Sequence, residues 1–181
     1  MKNTKKIALL ALAVAINIVG SKISLVLSLP IFLDSIGTIL AGTILGPWGG
    51  LLTALTGGLV NGVLGDIYSI YFSPSGMIMG IMAGLLLHNK QVSKLSIIWR
   101  TALIVLPASI VSAFIETVLF GGITSAVITT TIVQALSKTT MGLFSSAWIT
   151  QFVTDYIDKG IAVILVLAVL KRLPFEMKNF D

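Results

Sequence analysis

Leu27 to Gly50 reads LSLPIFLDSIGTILAGTILGPWGG, and it sets one carboxylate, Asp34, inside some of the most apolar sequence of the chain. Of the 181 residues, 56% are hydrophobic and only 10% are charged. The mean hydropathy of +1.03 lies far above that of soluble domains, so the chain reads as an integral membrane protein. A charge at bilayer depth costs at least about 2.5 to 3.5 kcal/mol, so Asp34 needs a helix end or a polar cavity. Pro30 interrupts the apolar run, and Gly46 to Gly50 (GPWGG) reads as the turn that ends it. Proline cannot continue a helix, glycine permits positive φ, and Trp48 suits a membrane interface. Between these breaks the sequence predicts a short helix, about Asp34 to Leu45, whose free N–H groups Asp34 can cap.

A span takes about 20 apolar residues, or fewer where a helix is short or broken within protein. On that measure the chain is all-α and polytopic, a single transmembrane domain over residues 1–181 with six transmembrane helices. They run from about Lys6 to Ser24, Asp34 to Leu45, Leu51 to Leu64, Ser75 to Leu87, Ile97 to Phe120, and Lys159 to Leu170. The last starts at Phe152 at the earliest and is stopped by Lys171, Arg172 and Pro174. Gly65 to Pro74 reads as an ordered loop, and His88 to Lys94 as a basic connection. Ile123 to Asp158, apolar but rich in Thr, Ser and Gln, reads as short extracellular helices packed at the membrane face before the last span. The opening MKNTKK resembles the basic start of a signal peptide, but the apolar run continues toward Leu27 without an obvious cleavage site, so it reads as the first span.

The formal charge of +5 is a topology signal. Six crossings put Lys2, Lys5, Lys6, Lys90, Lys94, Arg100, Lys171, Arg172 and Lys178 on one side. The other side receives Lys22, Lys138 and Lys159 with Asp34, Asp66, Asp155 and Asp158. An excess of Lys and Arg marks the cytoplasmic side, so both termini are expected in the cytoplasm of a multi-pass cell-membrane protein. Eight crossings would give the same sidedness, and segment length favours six.

Several chemistries are excluded. Without cysteine there is no thiolate nucleophile, disulfide or Cys-based metal site, and one histidine, His88, cannot build a metal cluster alone. No G-x-x-x-x-G-K-[ST] loop, H-E-x-x-H or G-x-S-x-G occurs, so neither an ATPase nor a hydrolase has support, and no catalytic residue or cofactor is implied. What remains is a set of polar and aromatic residues near the outer helix ends: Asp34, Asn61, Tyr68, Tyr71, Glu116, Gln134, Trp148, Asp155 and Lys159, with Asp66 and Asp158. Tyrosine and tryptophan can stack on a planar ring while carboxylate and amide groups bond its edge, as binding of a small heteroaromatic solute requires. Each also has a plainer role. Tyr68, Tyr71 and Trp148 suit an interfacial belt, Asp66 and Asp155 suit loops or caps, and Asp158-Lys159 suits a local ion pair. Glu116 and Asn61, set in apolar sequence, point more strongly to a pocket or buried network. Ala8, Ala11 and Ala15 form a small-residue face on the first span, across which a second helix can approach closely in lipid.

These features together resemble a known family. The alanine-rich first span, LPIFLDSIGTILAGTILGPWGGLLTALTGGLVNG (29–62), the basic loop after the fourth span and YIDKGIAVILVLAVLKRLP (156–174) are similar to the substrate-binding S components of energy-coupling factor (ECF) vitamin transporters. The match is to the branch related to riboflavin, pyridoxine and hydroxymethylpyrimidine components, and it covers nearly the whole chain. The LDSIGT…GPWGG and DKG blocks are moderately specific, whereas the alanine motif is widespread among S components. The resemblance implies a six-helix bundle that captures a vitamin or precursor from outside, works with a transmembrane coupling subunit and two cytoplasmic ATPases, and topples to release its solute. It also implies that the coupling contact falls on Ala11 and Ala15. The solute site falls on the Leu29-to-Ser35 region, Asn61, the Asp66-to-Tyr71 loop, Glu116 and the Trp148-to-Lys159 segment. A pyridine or pyrimidine with hydroxymethyl groups fits three Trp and three Tyr better than riboflavin does. An ion-coupled carrier using Asp34 or Glu116 is the rival reading.

Overall fold

The computed structural model describes residues 2–29 and 31–172, so the expected breaks at Pro30 and Pro174 and the basic Lys178 lie outside the described residues. The described residues form helices α1 (Lys2–Val26), α2 (Ile36–Leu45), α3 (Pro47–Val63), α4 (Ile67–Tyr71), α5 (Ser73–Leu87), α6 (Lys94–Phe120), α7 (Val127–Ser137) and α8 (Gly142–Arg172). The all-helical expectation holds. Two of them, over Asn3–Val26 and Lys94–Phe120, are long and apolar enough to cross a membrane; α2, α5 and α7 are apolar but shorter. Helix α8 has the length, at 31 residues, but carries Asp155, Asp158 and Lys159 near its middle.

The short helix of the opening stretch is the axis of the bundle. Every residue of α2 from Gly37 to Ile44 is buried, and α2 packs against α1, α3, α5 and α8. Its side chains Ile39, Leu40 and Ile44 meet Met79 and Leu87 of α5, Ile104 of α6, and Val163 and Val166 of α8 in the main core. At about 1.5 Å per residue its ten residues span about 15 Å, half the hydrocarbon thickness of a bilayer. Beyond its N-terminus the axis is held only by the irregular segment before Ile36, and the bundle is hollow there.

At the opposite end the helices close tightly. Gly46, at φ 78°, makes the turn into α3. Gly80 of α5 lies against Gly50 of α3, where a Cβ on either residue would overlap the other's backbone. Close helix approach across small residues is what association in lipid rewards. His88 Nδ1 lies 2.9 Å from the Thr43 carbonyl. Arg100 donates to the carbonyls of Leu86 (2.7 Å) and Gln91 (3.3 Å).

Four expectations change. The ordered loop expected over Gly65 to Pro74 holds helix α4 and the start of α5, with Pro74 in the first turn of α5. The turn expected over Gly46 to Gly50 shrinks to Gly46, because Pro47 takes the first position of α3, where its missing N–H has no partner to lose. The segment expected as short helices before Lys159 is only partly so. Helix α7 fits that description, but from Gly142 onward the chain is already α8. Its hydroxyls are absorbed by the helix itself: Ser146, Thr150 and Thr154 donate at 2.7 to 2.8 Å to the carbonyls four residues earlier. Finally, Asp34 does not cap α2. The N-cap is Ser35, without a side-chain cap bond. Asn17 of α1 does that work instead, its Oδ1 accepting from Gly37 N (2.7 Å) and Thr38 N (3.3 Å).

Candidate functional site

The hollow end encloses a cavity of about 140 Å³, roughly ten times the space that one water needs. Its wall is built from α1, the segment before α2, α3, α4, α5, α6 and α8. A smaller space of about 60 Å³ adjoins it, sharing Ser21, Phe32, Asp34, Asp66, Ser69 and Ser125, and is called the vestibule for its position beside the cavity.

Lys159 organises one side. Helical periodicity places Gln151, Asp155 and Lys159 in one row of α8, four residues apart, and all three line the cavity. The Lys159 ammonium lies 3.2 Å from Asp34 Oδ1, 3.3 Å from Asp155 Oδ1 and 2.6 Å from Asp158 Oδ2. Asp158 Oδ1 accepts from the Leu33 N–H at 3.1 Å. That bond pins the segment before α2, where Leu33 takes φ 53°, to α8. Lys159 and Asp158 are buried, whereas the Asp34 side chain is 49% exposed and faces the opening. A buried charge needs partners, and here one ammonium has three carboxylates around it. The lysine also sits 5.6 Å above the Phe32 ring.

The other side is an amide and hydroxyl network. Asn61 Nδ2 donates to Ser69 Oγ at 2.8 Å and reaches Asp66 Oδ2 at 3.5 Å, while Ser69 Oγ donates to Asp66 Oδ2 at 2.7 Å. Asn61 Oδ1 is buried without a partner. Tyr68 and Phe72 supply aromatic wall, both packed on Phe120, with ring centroids 4.8 and 6.0 Å away.

Of the nine residues singled out from sequence, Asp34, Asn61, Tyr68, Asp155 and Lys159 line this cavity. Tyr71 stands outside it, half exposed and edge-on to Phe120. Glu116 is fully buried behind the wall, its Oε2 accepting from Gln151 Nε2 at 2.8 Å. Gln134 ties α7 to the end of α6 by donating to the carbonyls of Gly121 (2.9 Å) and Gly122 (3.3 Å). Trp148 packs beside Ala113, Val133 and Ala147 in a second core between α6, α7 and α8. Sequence reading missed Asn17, Ser75 and Ser112, and it covered Phe32 and Gln151 only as members of wider regions. Asn17 and Gln151 had a signal: a lone amide in an apolar span, and an amide four residues before Asp155.

Away from the cavity, Ala8, Ala11 and Ala15 are exposed along one side of α1, while Ala13 on the other side is fully buried.

No curated protein and no solved structure matched the chain. The family model of the ECF transporter substrate-specific component matches residues 5–170, nearly the whole chain. This chain belongs to the ECF transporter substrate-specific component family.

Proposed function

We propose that the chain is the solute-capturing subunit of an ATP-driven ECF vitamin importer, and that its cargo is a small heteroaromatic vitamin or precursor, pyridoxine or hydroxymethylpyrimidine. The observation that carries this is the cavity above the short axial helix, with the Lys159 cluster on one wall and Tyr68, Phe72 and Phe32 on others. Rings of this class offer a face for stacking and an edge of hydroxyls and ring nitrogens for carboxylates and amides. The volume of about 140 Å³ suits a molecule of about a dozen heavy atoms better than one with a fused ring system and a sugar-like tail.

In this reading α1, α2, α3, α5, α6 and α8 are the six spans, and the cavity opens to the outside. The basic residues Lys90, Lys94, Arg100, Lys171 and Arg172 gather at the closed end, which supports a cytoplasmic position for that end and for both termini. The exposed Ala8, Ala11 and Ala15 face receives the transmembrane coupling subunit, and two cytoplasmic ATPases supply the energy.

Uptake into proteoliposomes tests the proposal. Solute should accumulate only when the coupling subunit and both ATPases are reconstituted with the chain and ATP is supplied. Accumulation by the lone chain under a proton or sodium gradient would contradict it and favour an ion-coupled carrier.

A further inference from the structure

Resting on that capture function, we infer that within this class of rings the site prefers a cation: a ring carrying an ammonium or another protonated nitrogen binds more tightly than its neutral relative, and an anionic relative binds weakest. Three aspartates and one lysine line the cavity, an excess of two formal negative charges, and Asp158 adds a further carboxylate at the lysine itself. Lys159 is saturated, since its three N–H donors face three carboxylates. A cleft of one sign with apolar walls focuses its field on whatever enters. Both Asp34 and Asp66 belong to the cavity and to the vestibule, so the excess charge stands where a solute passes.

A second, independent observation comes from the hydrogen-bond inventory. Four side chains on the wall carry nitrogen, and each already donates to a protein oxygen: Asn17 to Thr38, Asn61 to Ser69, Gln151 to Glu116, and Lys159 to its carboxylates. Asn61 is 5% exposed, lines the cavity and keeps its Oδ1 without a partner. An unpaired buried acceptor is costly, and a solute N–H satisfies it. The aromatic faces of Phe32, Tyr68 and Phe72 favour a cation as well. An anionic solute would meet carboxylates, and the one cation on the wall, Lys159, is already held by three of them.

Pyridoxamine, pyridoxine and 4-pyridoxate test this, because they share one ring and differ at one substituent that is cationic, neutral or anionic at neutral pH. In calorimetric titrations of the purified chain, pyridoxamine should bind at least tenfold tighter than pyridoxine, and 4-pyridoxate weakest. In Asp34→Asn and in Asp66→Asn the ratio of pyridoxamine to pyridoxine affinity should fall at least tenfold, while Asp34→Glu keeps it. Equal or tighter binding of 4-pyridoxate, or an unchanged ratio in both Asn variants, overturns the inference. Native mass spectrometry of the chain as purified separates the two claims. A co-purified anionic solute overturns the cation preference and leaves solute capture standing, whereas no co-purified solute and no binding of any of the three overturns both.

Discussion

The two ends of the bundle are built on opposite rules. At the closed end glycine backbones touch, Gly80 against Gly50, and His88 and the terminal guanidinium nitrogens of Arg100 meet carbonyls that anchor loops and helix ends, while Arg100 Nε is buried without a partner. At the hollow end carboxylates outnumber their partners, Asn61 keeps a bare acceptor, and space remains between the helices. A single structural fact separates the two: α2 is long enough to fill only half of the axis. The closed end contributes stability, and the hollow end holds polar groups, Asn61 Oδ1 among them, that the described residues leave without a partner.

The contrast can be broken at either end. The largest effect is expected for Gly80→Val, which drives a branched side chain into the Gly50 backbone and should cost about 3 kcal/mol or more. Loss of the monodisperse peak in detergent chromatography, or a collapsed thermal midpoint, checks it; a variant that melts with the parent would show that the closed end is not tightly packed. Next comes Lys159→Met, which strips three carboxylates of their shared cation. With Asp158 buried, removal of one partner of such a pair costs about 3 kcal/mol. Thermal melting should drop, and adding Asp158→Asn should restore part of the stability. Asn17→Leu is milder: it removes the acceptor from two N–H groups of α2, worth about 1 to 3 kcal/mol, and should lower the melting midpoint without dispersing the fold. Smallest for the chain itself is Ala11→Trp, an exposed site on α1. Its melting and solute binding should match the parent, while assembly with the coupling subunit and ATP-driven uptake are lost. Unimpaired uptake would move the coupling surface elsewhere.

These contrasts also explain what the sequence disclosed and what it hid. Hydropathy located α1 and α6, because a long apolar run is a local property. The start of α8 stayed hidden, since Ser146, Thr150 and Thr154 look like loop residues until their hydroxyls are seen bonded back along the helix. Asp34 stood out correctly as a charge needing a reason, but the reason lies 125 residues away in Lys159, and no local pattern reports such a pairing. The capping role that local rules gave to Asp34 belongs to Asn17, which reaches α2 from a neighbouring helix. Tyr71 and Tyr68 are three residues apart in α4 and equally plausible in sequence, yet only Tyr68 turns toward the cavity. Residues of α8 at 151, 155 and 159 were the most legible part of the site, because a spacing of four fixes a common face.

The central claim is that the hollow end of this chain alone binds solute, and calorimetric titration of the purified chain with pyridoxine and hydroxymethylpyrimidine tests it most directly. Saturable binding of one molecule per chain is expected for at least one of them, unchanged in Ala11→Trp and abolished when the cavity is filled by Ser112→Phe. Absence of binding by both, or binding that survives Ser112→Phe intact, would contradict it.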